Sequence, residues 1–159
     1  MLLVAGCTEG GGIFGDKEPP GPAGHARVTK VVDGDTIHLA GLGSVRLIGV
    51  DTPETNAGPE CFGEEATRFT AKRLAPGTVV EYRLGTEPQD RYGRALAYVW
   101  EPDGTFFNEE LVKEGFATAL SIRPNTEYAD RFERLADKAR ELGLGLWSPD
   151  ECGPDGPSG

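Results

Sequence analysis

The chain has 159 residues, of which 38% are hydrophobic and 26% are charged. This length and composition predict one globular domain with a hydrophobic core and exclude a largely disordered chain. Sixteen basic and 26 acidic residues give a net charge of −10, so the molecule as a whole would not attract an anionic partner. No stretch of sequence reaches the roughly 18–20 apolar residues of a membrane-spanning helix.

The first residues differ in character from the rest of the chain. Met1–Cys7 is apolar and ends in small residues before a cysteine, which is similar to the end of a bacterial lipoprotein signal. The basic beginning of such a signal is missing, so the segment is either a truncated signal, with Cys7 as the lipid anchor, or a chance apolar start. We favour the signal and expect an exported protein, secreted or lipid-anchored at the cell surface, that meets a membrane only through Cys7.

Composition also divides the chain into three parts. Residues 8–24 are rich in Gly and Pro without periodicity, which is typical of a flexible tether. We therefore predict a signal remnant and tether over residues 1–24, a folded domain over 25–150, and a flexible tail over 151–159. His25 is interpreted as part of the tether. Residues 25–150 hold 15 basic and 21 acidic side chains, so the predicted domain is itself acidic.

Runs of β-branched and alternating apolar residues predict five strands. Asp33-Gly34 between the first two runs is typical of a tight turn. The predicted strands are Val28–Val32, Thr36–Leu39, Val45–Val50, Thr78–Leu84 and Arg94–Trp100.

Helical spacing of apolar residues predicts three helices. The first covers residues 62–75 and stops before Pro76-Gly77. Asn108 is a candidate N-cap for a short helix that ends at Glu114. The third runs from about Thr126 to Leu142, with Asn125 as its candidate cap.

Three short motifs place carboxylates and arginines on turns or at strand ends: Asp33-Gly34-Asp35-Thr36, Arg46 to Glu54, and Asp90-Arg91-Tyr92-Gly93-Arg94. Carboxylate and carbonyl oxygens are the ligands that hard cations prefer. Arginine forks match the oxygens of a phosphate. Together these groups indicate attack of water on a phosphodiester, assisted by a metal ion.

The order and spacing of these motifs resemble the staphylococcal nuclease (thermonuclease) family of calcium-dependent phosphodiesterases. The resemblance runs from about Val28 to Trp147 and ends with a Gly-Leu-Gly-Leu-Trp-Ser pattern close to the terminal pattern of the family. It implies an α+β, mainly β fold, a five-stranded OB-fold barrel with three helices. Periodicity alone predicts only an α+β protein.

The resemblance also implies a role for each site residue. The carboxylates of Asp35 and Asp51 and the carbonyl of Thr52 would be the Ca²⁺ ligands. Glu54, three residues after Asp51, would be the general base that takes a proton from water or orients it.

Phosphate contacts are assigned to basic residues of the second and third motifs. Arg46 and Arg94 would stabilise the charge that grows on phosphate oxygens in the transition state. By the same resemblance, Arg91 and Tyr92 would touch a terminal or neighbouring phosphate. The archetype of the family has Lys in place of Arg91.

One pair of positions departs from the family. Alignment on Arg123-Pro124-Asn125 places Leu120 and Ile122 where the archetype has two tyrosines that flank the nucleotide base. Stacking on an aromatic ring is worth ~1–3 kcal/mol per base. We therefore expect weaker nucleotide binding than in relatives with the tyrosine pair, with the phosphate chemistry unaffected.

The remaining cysteines, Cys61 and Cys152, form an even pair in a chain expected to be exported. We predict a disulfide between them, and two unrelated thiols remain the alternative. No Cys-x-x-Cys or Cys/His set is present for zinc.

These observations predict a calcium-dependent nuclease that hydrolyses DNA and RNA, preferably single-stranded, leaves 3′-phosphates and acts as a monomer. The main alternative is a catalytically silent nucleic-acid-binding module on the same barrel, since a fold does not fix a function. A glycosidase built on paired carboxylates, or a calcium-stabilised structural domain, leaves Arg46 and Arg94 without a purpose.

Overall fold

The computed structural model describes residues 19–56, 58 and 60–154. Cys7, the predicted signal remnant and the last residues of the predicted tail, 155–159, lie outside the described residues.

Five strands close into a barrel in the order β1-β2-β3-β6-β5. Strand β3 runs parallel to β6, and the other neighbours are antiparallel. In chain order the strands are β1 Ala23–Val31, β2 Thr36–Leu39, β3 Gly43–Leu47, β4 Val50–Asp51, β5 Val79–Gln89, β6 Ala95–Trp100 and β7 Thr118–Ala119. The predicted five-stranded OB-fold barrel is confirmed.

The core fills the barrel with the inward-facing residues of its strands. These side chains are mostly β-branched or aliphatic, which suits a pleated and half-buried surface. Val28, Ile37, Val45, Val80 and Val99 are fully buried. The aliphatic and aromatic residues of the helices, Phe107, Leu111 and Phe132 among them, pack against the same cluster.

Four helices and one 3-10 turn complete the part of the chain that the structure describes. The helices are α1 Gly63–Arg73, α2 Phe107–Lys113, α3 Ala129–Glu141 and α4 Pro149–Cys152, with the 3-10 turn at Gly145–Trp147. The first three are the predicted helices. Helix α4 contains Glu151 and Cys152, so the two residues that we assigned to the start of a flexible tail are helical.

The first strand begins earlier than the sequence indicated. His25, interpreted as part of the tether, lies in β1 opposite Glu81 of β5, and Ala23 lies opposite Arg83. The interpretation of His25 was wrong because backbone pairing with β5 holds this segment although its sequence, Ala-Gly-His-Ala, has little strand propensity.

The two predicted caps were also wrong. Asn108 lies inside α2 and is fully buried. Its side chain accepts a hydrogen bond from Val99 N–H and donates to the carbonyl of Ile48. Asn125 precedes α3, but its side chain accepts a hydrogen bond from the N–H of Glu87 on β5 and donates one to the carbonyl of Glu87. Each asparagine therefore serves a neighbouring segment rather than a helix end.

A second, two-stranded sheet lies beside the barrel. Val50 of β4 pairs with Ala119 of β7, and Asp51 pairs with Thr118. These strands have two residues each, which is too short to leave a periodic pattern. The pairing places Asp51 beside the segment that leads to Leu120 and Ile122.

The two ends of the described chain are held in different ways. Pro22 accepts a hydrogen bond from Leu84 N–H in β5. At the other end, a disulfide links Cys152 of α4 to Cys61, just before α1. Within the described residues, no helix is both long and apolar enough to cross a membrane.

Candidate functional site

An acidic centre forms where β2, β3 and β4 meet. Asp35 precedes β2 and is only 5% exposed. Its Oδ2 lies 3.1 Å from Nη1 of Arg46 on β3, and Nη2 of the same arginine lies 2.8 Å from Oδ1 of Asp51 on β4. One guanidinium therefore joins the two carboxylates predicted to hold a metal ion.

The turn before β2 fixes the position of Asp35. The amide of Thr52 donates to Asp35 Oδ2 at 2.8 Å. A Cβ on Gly34 would lie 2.7 Å from the side chain of Thr52, so only glycine allows this approach. Thr70 of α1 donates to the carbonyl of Gly34 at 2.7 Å. The structure thus brings Asp35, Asp51 and Thr52 together.

Negative charge is concentrated at this centre. Partial burial raises the pKa of Asp51; Arg46 opposes the shift, and Asp35, Glu54 and Glu60 add to it. Burial and the neighbouring Asp35 raise the pKa of Asp33 to about 6. The charged forms of both groups are therefore disfavoured by their surroundings.

This arrangement fits a hard cation. Asp35 and Asp51 direct oxygens at the same guanidinium, and Thr52 lies within one hydrogen bond of Asp35. All the candidate ligand atoms are oxygens, and a cation would offset the burial and the neighbouring carboxylates that together raise the pKa of Asp51. Among the described residues, no three or more His, Cys, Asp or Glu side chains form a group that could hold a metal ion; the candidate set consists of two carboxylates and one backbone carbonyl.

Glu54 lies on the exposed loop that follows Pro53. Its N–H donates to Oε2 of Glu60 at 2.9 Å, and its carbonyl accepts from Glu60 N–H at 2.8 Å. The charge of Glu54 contributes to the raised pKa of Asp51, which places it in the electrostatic surroundings of the acidic centre.

Arg94 is oriented by Asp90 across the turn before β6. Asp90 accepts from Arg94 Nε at 2.7 Å and from the amides of Tyr92 and Arg94. Burial acts to raise the pKa of Asp90, but the bonds from Arg94 and from these amides outweigh it, and the pKa lies below its usual value. Asp90 thus fixes the guanidinium through Nε and leaves both Nη atoms of Arg94 unused by this pair.

Tyr92 and Arg91 lie on the same turn. Tyr92 is 69% exposed. The guanidiniums of Arg91 and Arg94 lie 4.8 Å and 5.7 Å from the centre of its ring, and Arg91 Nη2 donates to its hydroxyl. The turn therefore presents two positive charges on one aromatic ring.

A cleft of about 500 Å³ lies between Arg46 and the turn that carries Arg94. It lies between the β3–β4 corner, the turn before β6 and the segment after β7. Four predicted site residues line it, together with the two positions that depart from the family: Arg46, Arg91, Tyr92, Arg94, Leu120 and Ile122. Asp35, Asp51, Thr52 and Glu54 are not among its lining residues; Asp35 and Asp51 connect to it through Arg46.

Three residues were given no role in the site by the sequence analysis: Asp90, Glu60 and Asn125. Asp90 stands in the third motif, and its spacing of four from Arg94 was the available signal. Glu60 acts on the backbone of Glu54 across an irregular loop, and Asn125 acts on the backbone of Glu87 in another element. Neither contact leaves a periodic pattern in the sequence.

Comparison with known proteins gives consistent matches. The family described as Staphylococcal nuclease homologue matches residues 44–149. Thermonuclease of Staphylococcus hyicus is 43% identical over 128 residues, 77% of this chain and 75% of that protein. Thermonuclease of Staphylococcus intermedius is 44% identical over 127 residues, 76% and 74% of the two chains. Endonuclease YncB of Bacillus subtilis (strain 168) is 38% identical over 127 residues, 75% and 59% of the two chains.

Proposed function

Since the chain belongs to the staphylococcal nuclease family, we propose that it is a calcium-dependent nuclease that hydrolyses DNA and RNA. The observation that carries the proposal is the junction at Arg46. This residue pairs with Asp35 and Asp51 on one side and lines the cleft that contains Arg94 on the other. A cation-binding set and a phosphate-binding set therefore share one residue.

The carboxylates of Asp35 and Asp51 and the carbonyl of Thr52 would hold Ca²⁺, which supplies a Lewis acid that polarises a phosphodiester. Glu54 takes the proton of the attacking water, or orients that water for in-line attack. Its place on a stiff turn after Pro53 keeps the carboxylate near Asp51 without making it a ligand.

Arg94 binds phosphate oxygens through its Nη atoms while Asp90 holds Nε. Because this ion pair exists before the substrate arrives, the fork does not have to reorganise as negative charge grows in the transition state. Arg46 adds a second guanidinium at the cleft. Its existing bonds to Asp35 and Asp51 keep it between the metal set and the phosphate.

The substrate is single-stranded DNA or RNA, with a 3′-phosphate left on the product, and Arg91 and Tyr92 contact a second phosphate of the strand. With a net charge of −10, affinity comes from local arginines and the cation rather than from the field of the whole molecule. The protein acts as a monomer.

The protein is exported and is either secreted or anchored by a lipid on Cys7. Support comes from the sequence pattern before Cys7 alone. Expression from the native gene with and without Cys7→Ser, followed by fractionation, tests the anchor. Cytoplasmic protein in both cases would contradict the export.

Heat-denatured DNA incubated with the protein in Ca²⁺, Mg²⁺ or a chelator tests the activity. We expect cleavage with Ca²⁺ and none with the chelator. Glu54→Gln and Arg94→Gln should each lower kcat by about 10²–10³ while folding persists. Glu64→Gln and Arg68→Gln are matched controls, because both side chains are exposed on α1, and both variants should keep full activity.

Undiminished cleavage by Glu54→Gln or Arg94→Gln would contradict the assigned roles. Binding of denatured DNA without cleavage in any metal would instead support the silent binding module.

A further inference from the structure

We propose that Glu60 and the Cys61–Cys152 disulfide are positioning residues for Glu54. The inference rests on the proposed function, in which Glu54 acts on the attacking water. It concerns the loop after Pro53, whose far end is joined covalently to the C-terminal helix α4.

Glu60 holds Glu54 from both sides of its backbone. The carboxylate of Glu60 accepts the N–H of Glu54 at 2.9 Å, and the N–H of Glu60 donates to the carbonyl of Glu54 at 2.8 Å. These two bonds close the loop at its base. Both lie at an exposed edge of the molecule, where hydrogen bonds to water compete and the net gain is small.

The residues after Glu60 fix the base of the loop against α1. A Cβ on Gly63 would lie 2.7 Å from the carbonyl of Glu54 and 3.0 Å from that of Pro53. Phe62 has a φ of 73°, in the left-handed region that favours glycine, and its ring lies 5.4 Å from that of Phe116. Such a conformation persists where neighbouring contacts determine it. The loop base is therefore packed against the domain on one side.

The disulfide holds the loop base on its other side. Cys61 follows Glu60 directly, and its partner Cys152 lies in α4. Helix α4 is anchored in turn by the preceding 3-10 turn, in which Leu146 is fully buried and its N–H donates to the carbonyl of Gly115. A covalent path thus runs from the core through α4 to the residue next to Glu60.

This path matters for catalysis because a general base must be held within hydrogen-bond reach of its water. A displacement of about 1 Å can cost 10²-fold in rate. Two surface hydrogen bonds allow the loop base to open, whereas the disulfide keeps Glu60 next to Glu54 when they break. Loss of the disulfide would therefore lower the rate of the chemical step without removing any group that touches substrate.

A double-mutant cycle tests the inference. Every protein carries Cys7→Ser so that the third cysteine cannot pair. Cys61→Ser/Cys152→Ser is made with and without Glu54→Gln, and cleavage of denatured DNA is measured at a temperature where circular dichroism shows all proteins folded. We expect the serine pair to lower kcat about 10-fold with KM nearly unchanged, and to have no further effect when Glu54→Gln is present.

Two controls separate positioning from lost stability. Val28→Ala removes buried methyl groups from the barrel core and should lower the denaturation midpoint without lowering kcat. Glu60→Gln keeps an oxygen that can accept from Glu54 N–H, whereas Glu60→Ala does not. We expect Glu60→Ala to lower kcat severalfold and Glu60→Gln to retain most of it.

The outcomes are distinguishable. A slow Glu54→Gln protein together with a fully active serine pair would overturn the positioning role and leave the proposed function standing. An equal loss from the serine pair in both backgrounds would also overturn it, since the effect would not pass through Glu54. Full activity of Glu54→Gln would overturn the general-base role and the positioning role together.

Discussion

Asp33 and Asp35 occupy the same turn but differ in their partners. Asp35 accepts a hydrogen bond from the N–H of Thr52 and pairs with the guanidinium of Arg46. Asp33 accepts the amide of Asp35, and burial beside that carboxylate raises its pKa. The surroundings of Asp33 therefore disfavour its charged form.

Asp33 should make the metal-free protein less stable as pH rises. Its pKa increases from the ordinary 3.8 to about 6 on folding, so the folded state binds the proton more tightly than the unfolded state. Its contribution to the free energy of unfolding then falls between about pH 4 and pH 6 and is constant above. Asp33→Asn retains an oxygen that can accept from Asp35 N–H. It should remove the loss of stability that the ionisation of Asp33 causes.

Urea unfolding with chelator at pH 4 and pH 7 measures the effect. We expect Asp33→Asn to be more stable than the unmodified protein at pH 7 and to show little difference at pH 4. A variant that is destabilised equally at both pH values would show that the charge of Asp33 does not oppose folding.

Leu120 and Ile122 line the cleft, and Ile122 is 62% exposed. Aliphatic side chains contact a base without stacking on it, so we expect the Leu120→Tyr/Ile122→Tyr variant to bind nucleotides more tightly. The inhibitor Kd or the KM should fall by up to ~10-fold, about 1.4 kcal/mol, with little change in kcat. Unaltered affinity in a folded variant would show that these positions do not face the base.

Among the elements, α2 is joined to the barrel by a polar contact inside an apolar interface. Asn108 accepts from Val99 N–H in β6 and donates to the carbonyl of Ile48, next to the cleft. Buried backbone groups need such partners. The same contact therefore supports the end of β6 and the corner between β3 and β4, which carries Arg46 and Asp51 at its two sides.

Asn108→Ala should cost about 3 kcal/mol in the free energy of unfolding, because two buried backbone groups lose their partner at ~1–3 kcal/mol each. Urea unfolding followed by the fluorescence of Trp100 and Trp147 measures the loss. Lys138→Ala, at an exposed position of α3, serves as the control and should stay within about 0.5 kcal/mol. A loss below about 1 kcal/mol for Asn108→Ala would mean that water replaces the amide.

On the scale of the whole molecule, the barrel extends to the N-terminal side of the predicted domain boundary. Ala23 and Gly24 pair with Arg83 and Tyr82, and Pro22 accepts from Leu84 N–H. Strand β5 would otherwise present unpaired groups along this part of its edge. The domain boundary that we drew from composition therefore assigned Ala23 and Gly24, which pair with β5, to the tether.

Removal of residues 1–18 should leave the stability and the activity unchanged, whereas removal of residues 1–24 should destabilise the protein by about 1.5–4.5 kcal/mol. The larger truncation loses the three backbone contacts above, each worth ~0.5–1.5 kcal/mol. Thermal and urea unfolding of the two truncated proteins compare them directly. Equal stability would show that the first residues of β1 contribute nothing to the barrel.

The sequence by itself determined the strands and the three main helices as periodic apolar runs, which alone predict only an α+β protein. It determined the family, and through the family resemblance the five-stranded barrel, from motifs such as Arg46 to Glu54 that are read locally. The residues of the Asp90–Arg94 turn could be found in the same way. Their roles in catalysis remain predictions.

Only the tertiary structure decided how distant residues meet. The two-residue strands β4 and β7, the bonds of Asn108 and Asn125 to other segments, and the contact of Glu60 with Glu54 leave no local pattern. When only the local chain is considered, an asparagine near the start of a helix is predicted to cap that helix. In the folded protein, buried backbone groups of neighbouring strands and loops need partners, and that requirement arises only when the segments pack.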